Sequence, residues 1–348
     1  MQEFIVSNLE DENDGDFSEG DLSLREAIAL ANEQEGEDAI TFDSSLSGET
    51  IALTENISAP RGGGTVNQDL TITDSVNIIG LGAENLTIDG LSGGNGIFKV
   101  SGENTNFNLE GLTIANGTTQ RFFRSDSGGA GTIDFDGANL TLKDSVVTGS
   151  GGVFTGAISN SGNASITGTT ITDSSSTPFD GSFESGVIGN RGTLEIFNST
   201  ISKNSTPGIL NGGTLEISNS TVSNNNQDSI SNNSGSNLGS EITNISTADG
   251  SGTAKITSSI ISGDSQQDSN DFDDLSGEFT SGGNNLISDG SGGFVNGENR
   301  DLAGTADDPI DPLLGELQNN GGSTPTQALQ EGSPAIDTGS NPNDLVTD

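Results

Sequence analysis

The chain has 348 residues and a formal net charge of −41, from 51 acidic and 10 basic residues. A charge of that size and sign argues against nucleic acid and anionic membrane surfaces as partners. With 15 Phe, one Met and no Trp or Tyr, the chain is poor in the bulky residues that fill the core of a compact globule of this length. A solenoid needs only a thin core of Ile, Val and Leu.

The N-terminal stretch Glu10–Asp21 reads EDENDGDFSEGD. With Gly15 as the sixth loop position, Glu10, Glu12 and Asp14 fall at positions one, three and five and Asp21 at twelve, a loose imitation of an EF-hand loop. Calcium is the expected cation, with a solvated acidic turn as the alternative. Residues 21–34, DLSLREAIALANEQ, predict the one helix. Ser23 and Glu26 form a capping box, and Leu24, Ala27, Ile28 and Ala31 make one apolar stripe. Such a helix is a suitable lid over the first coil of a solenoid.

A recurring phrase, Asn-x-Gly-x-[Leu/Ala]-x-Ile-x-x-[Ser/Thr]-x-[Ile/Val], fills the middle. Its cleanest copies are residues 160–171, 190–201 and 211–222. Ile166, Ile196 and Ile217 are equivalent; Ile114 and Leu142 are expected before them and Ile256 after. The strand starts Ala164, Leu194, Leu215 and Ala254 are separated by 30, 21 and 39 residues. A constant phrase with variable inserts fits coils of short strands whose loops lengthen on one side. In Leu215-Glu216-Ile217 the apolar residues share one face and Glu216 takes the other.

The polar positions of the phrase read as stacking ladders. Asn160, Asn190 and Asn211, about 4.8 Å apart when stacked, would bond one another and the turn backbone, and Asn232 is a candidate for a fourth place. Ser145, Thr169, Ser199, Ser220 and Ser259 hold a second corner, where a small hydroxyl bonds local backbone. No His accompanies them, which excludes the usual activated serine.

These patterns predict an all-β chain: a single-stranded right-handed parallel β-helix with a short N-terminal capping helix. The expected parts are a cap over residues 1–60, coils over 61–300 and a C-terminal cap or tail over 301–348. Absence of Cys leaves the compartment open, and no apolar run is long enough to span a bilayer as a helix. No cleavable leader precedes residue 3, so export implies a removed leader, another route or a longer parent chain.

Both ends carry a resemblance. The N-terminal SLREA helix with its flanking strands resembles the CSLREA domain of bacterial surface β-helix proteins. The C-terminal stretch, ending in GSPAID (residues 332–337), resembles the choice-of-anchor Q region of cyanobacterial and other bacterial right-handed β-helix proteins. The family commonly places two Cys where this chain has Phe17 and Leu22, so the resemblance implies an apolar pair, or an ion, in place of a disulfide. It also implies an anchoring segment after GSPAID, which here is followed only by the stretch to Asp348.

Three functions follow as expectations. The first is a non-enzymatic extracellular rod of a surface layer, filament, matrix or adhesin, self-associating or binding cell-surface components and polysaccharide. The second is a polysaccharide lyase or glycoside hydrolase. His and Tyr, common lyase bases, are absent. Asp271, Asp273 and Asp274 are the most tempting acids for a hydrolase. The third is a glycan-binding module, for which only Phe offers an aromatic platform. Arg121 and Arg124, in QRFFRSDSGG, are the one close basic pair.

Overall fold

A computed structural model describes residues 1–18, 20–54, 56–58, 65–67, 69–94, 96–119, 130–153, 155–177, 186–225, 240–247, 250–263 and 273–340. The chain winds as a right-handed parallel β-helix with three sheets of ten, ten and eight strands. Each full coil visits the third sheet, then the first, then the second. One such coil is Thr155–Asn160, Asn163–Thr167 and Thr170–Thr172. The next repeats it at Gly186–Asn190, Thr193–Phe197 and Thr200–Ser202.

Period-two alternation sets which side chains enter the coil. In Thr214–Ser218, Leu215 and Ile217 are buried and Glu216 is exposed. Parallel pairing then stacks like on like: Leu109, Leu142, Ile166, Ile196, Ile217 and Ile256 occupy one register position. Leu109, not Ile114, takes the place before Leu142. Ile114 lies in the second sheet, on the stack Ile88, Ile114, Val147, Ile171, Ile201 and Val222. Both strands of a coil alternate, so a lone Ile in sequence does not say which sheet it joins. Phe98 and Phe107, at 5.1 Å between ring centroids, thicken the core near its start.

Close stacking explains the glycine of the phrase. A Cβ at Gly162 would lie 2.0 Å from the carbonyl oxygen of Ala138, and one at Gly192 the same distance from that of Gly162. No side chain fits between coils there.

The helix spans Leu24–Glu33 with Ser23 as N-cap and both halves of the capping box formed. Leu24, Ala27, Ile28 and Ala31 are buried over the open start of the core. Strands Glu3–Val6 and Asp38–Phe42, on either side of it in sequence, are the first two of the first sheet.

At the other end the chain turns back. After the last strand of the second sheet, Leu302–Ala303, an antiparallel hairpin (Leu314–Gln318 with Thr326–Leu329) lies lengthwise against the second sheet. Thr324 donates to the carbonyl of Gly168 (3.0 Å), Gln327 accepts from Ser223 (2.7 Å), and Lys203 pairs with Glu316 (2.7 Å). The returning segment, which holds GSPAID, meets Asn284 through the Thr338 carbonyl (2.7 Å) and Ser258 through Ser340 (2.6 Å). This strap covers outward Ser and Thr side chains of the second sheet: Thr170, Thr200, Ser202 and Ser223 are all buried.

Candidate functional site

Three polar ladders line the corners. At the corner from third to first sheet, Asn160 donates to Asn190 (2.7 Å), Asn190 to Asn211 (2.6 Å) and Asn211 to Asn244 (2.8 Å). Each amide also donates to a carbonyl of the next coil (Thr193, Thr214 and Thr253). Each Oδ1 accepts from the glycine N–H of its own turn. Asn244 fills the fourth place; Asn232 lies outside the described residues.

At the corner from first to second sheet, Ser199 and Ser220 donate to the carbonyl two residues earlier, at 2.8 Å each. Their oxygens accept N–H groups from the preceding coil: Ser199 from Thr169 and Ser220 from Ser199, both 3.1 Å. The residue before each, Asn198 or Asn219, is left-handed, with φ of 47° and 50°.

A third ladder follows the second sheet and was not anticipated. Ser174 N–H donates to Asn204 (2.9 Å), and the Asn204 amide to Asn225 (2.7 Å). Asn225 donates through N–H (2.9 Å) and through its amide to the Glu241 carboxylate. Asn204 and Asn225 stand 21 residues apart in the chain, the interval that separates Ser199 from Ser220, so the repeat length carried the signal.

Beyond Glu241 this corner ends in acids. Asp274 accepts from Gly263 N–H (2.6 Å) and Asp289 N–H (3.0 Å), while Asp289 accepts from Asp274 N–H (2.8 Å) and Ser291 Oγ (2.6 Å). Burial and the Asp289 charge push the Asp274 carboxyl up to about 7. Of the expected catalytic trio, Asp274 is buried in this backbone-bonded pair, Asp273 is exposed, and Asp271 lies outside the described residues, as do Arg121 and Arg124.

The acidic loop folds around other residues than those predicted to bind calcium. Asp11 is its anchor, held by Arg25 Nε (2.6 Å) and Nη2 (3.0 Å) and accepting the Thr54 N–H (2.8 Å). Glu26 Oε1 accepts from Gly15 N–H (3.0 Å). Leu22 is buried but Phe17 is 51% exposed, so the two do not form a buried apolar pair. Glu10, Glu12, Asp14 and Asp21 feel one another chiefly as charges. Partial desolvation, followed by repulsion from Asp14 and Asp21 at Glu12 and from Asp16 and Asp14 at Asp21, raises the pKa values of Glu12 and Asp21. Among the described residues no group of three or more acids stands close enough together to hold a metal ion.

On the outer face of the third sheet, Lys99 lies in register with Asp134. Burial raises the Asp134 carboxyl, and burial with the Asp134 charge, opposed by Lys99, pushes Asp69 up to about 6. Asp69 Oδ1 is buried and accepts no hydrogen bond.

The architecture is that of the parallel β-helix proteins. No protein-family description and no curated sequence matches the chain. Among solved structures, the crystal structure of pectate lyase Pel9A aligns over 88% of this chain and 76% of its own, with 13% identity and a TM-score of 0.45.

Proposed function

We propose that the protein is a structural component of a bacterial cell surface: a rigid, acidic β-helical rod of a layer, filament, matrix or adhesin. The observation that carries the reading is the continuity of the side-chain ladders. The Asn, Ser/Thr and third-corner ladders use the polar side chains of successive coils to bond the next coil, so the corners are built for stiffness. The SLREA helix and the GSPAID segment add the resemblance to surface β-helix families of the CSLREA and choice-of-anchor Q type. Acidity suits an extracellular setting rich in salt and divalent cations, with calcium as counter-charge for the loop at residues 10–21. Self-association would use the unpaired edges of the terminal strands, Glu3–Val6 at one end and Thr280–Gly283 at the other.

Two measurements on the purified chain test this. Negative-stain imaging should reveal rods that associate end to end or laterally when calcium is added. A glycan panel read for reducing ends and unsaturated uronates should stay silent. Turnover on any glycan would replace the rod reading with an enzymatic one.

A further inference from the structure

The strap joins the coils through a short, strained bend. The Ile310 N–H donates to the Ser288 carbonyl (2.8 Å), and among the described residues no backbone group beyond it bonds a backbone group of the coils. The Leu313 carbonyl already accepts from within the strap, from the Gln330 N–H (2.9 Å). Only Asp311 and Pro312 lie between these ties. Leu313 has a left-handed backbone, with φ of 50°, a conformation that costs a bulky aliphatic residue more than Asn, Asp or Gly. Two side chains pin it there: Asp311 accepts the Leu313 N–H (2.8 Å), and the Ser333 hydroxyl donates to the Pro312 carbonyl (2.6 Å). The bend sends the hairpin back along the second sheet. Glu316 meets Lys203, Ser323 at the tip meets Asp144 (2.8 Å), and the return strand brings Gln327 to Ser223.

We infer that the strap is exchanged between two copies of this chain, joining them end to end with their C-terminal ends together. Three features point there. A short hinge under strain invites exchange, because an extended Leu313 relieves the left-handed backbone. The hairpin's bonds to the coils each use a side chain, and it shares no ladder with the three large sheets, so it can leave without breaking a strand pairing. The direction also fits. Straightened at Leu313, the hairpin runs on past the C-terminal end of its own coils. A second copy, related by a two-fold axis at that end, presents its second sheet in the polarity the hairpin already uses. Each strap then makes on the other chain the contacts it makes on its own, so exchange costs the association and gains the relaxed hinge. The inference rests on the rod reading for the role of the product, a rod of doubled length.

The chain has no Cys, so introduced thiols report on exchange alone. Ser258, in the coils, and Ser340, in the strap, hold their hydroxyl oxygens 2.6 Å apart, a spacing that thiols in their place can bridge. Full-length Ser258→Cys and Ser340→Cys chains are purified separately, mixed, warmed in high salt to screen their negative charge, and oxidised. A disulfide-linked dimer of the two different variants should form well above the dimers of either variant alone. Leu313→Asn, which tolerates the left-handed backbone, should lower the yield of mixed dimer about fivefold. Asp311→Ala, which frees the exposed Leu313 N–H, should raise it about threefold. No mixed dimer overturns the inference, as does mixed dimer no more abundant than same-variant dimers, or a yield indifferent to Leu313→Asn. Rods that associate through strand edges without this cross-link would keep the rod reading and sink the exchange; mixed dimers without rods in the images would do the reverse.

Discussion

At the scale of single residues, the polar corners carry the specificity of the stack. The Asn190 side chain takes part in four hydrogen bonds, two with neighbouring Asn side chains and two with backbone. Asn190→Ala would leave the Gly192 N–H without its partner and take one bond each from the Asn160 and Asn211 side chains and the Thr214 carbonyl in a buried corner. The expected cost is about 2–4 kcal/mol, read by denaturant unfolding, against about 0.5 kcal/mol or less for Glu195→Gln on the outer face. A cost for Asn190→Ala no larger than for Glu195→Gln would remove the ladder from the account of stability. Asp274 gives a prediction with a definite sign. The folded chain keeps the proton up to about pH 7, whereas an unfolded carboxyl releases it near pH 4. The folded state therefore binds more protons between those limits, and stability is fullest below about pH 4 and is lost as pH rises through about 7. Melting temperature should fall more between pH 5 and pH 8 in the parent than in Asp274→Asn, by roughly 2–5 °C. Asp69, which titrates in the same range, is common to both proteins and cancels from the comparison.

At the scale of elements, the strap is held differently from the coils. It shares no strand pairing with the three large sheets, and its contacts with the earlier coils run through side chains of Thr, Ser, Asn, Gln and Lys. Truncation after Pro309 should leave the β-sheet circular dichroism intact, lower the melting temperature, and expose the buried Thr170, Ser202 and Ser223 to solvent. Loss of the folded spectrum would instead make the strap part of the folding unit. The strap and the helix contrast in how readable they were. The helix declares itself locally: a capping box and an apolar stripe at 3.6 spacing need no partner to be seen, and only its ends differ, Leu24–Glu33 against 21–34. The strap left a local signal too, Asn320-Gly321-Gly322 between two short alternating runs, which is hairpin chemistry. Where the hairpin docks is a long-range fact, set by Thr324 on Gly168 and Gln327 on Ser223, more than 100 residues away. The same limit applies to the sites. The Asn phrase was visible because its members share a repeated context, whereas Glu241, Asp274 and Asp289 meet only after inserts of unequal length bring their coils together. Asp11, hidden among loop acids, is set apart only by the Arg25 opposite it.

At the scale of the whole molecule, stacking and charge oppose each other. Parallel pairing sets like beside like, which suits Ile on Ile inside the coil but also sets Glu195 directly beside Glu216 outside it. Coils are about 4.8 Å apart, well inside the screening length of about 8 Å at physiological ionic strength, so acids on adjacent coils repel at full strength in dilute buffer. Few cations answer them: the described ion pairs are Arg25 with Asp11, Lys143 with Glu110 and Asp144, and Lys203 with Glu316. With a net charge of −41, melting temperature should rise when sodium chloride is raised from about 10 mM to 500 mM, because the screening length shrinks from about 30 Å to a few ångströms over that range. Calcium at matched ionic strength separates general screening from a local effect. Glu12 and Asp21 are mutually repelling, and a divalent ion held near them would relieve more repulsion than sodium can. Calcium should therefore raise the melting temperature above the sodium value, and the double variant Glu12→Gln with Asp21→Asn should erase that excess while keeping the sodium response. Equal curves for the two salts in the parent protein would reduce calcium to a screening ion and leave the loop at residues 10–21 as a solvated acidic turn fixed by Asp11 and Arg25.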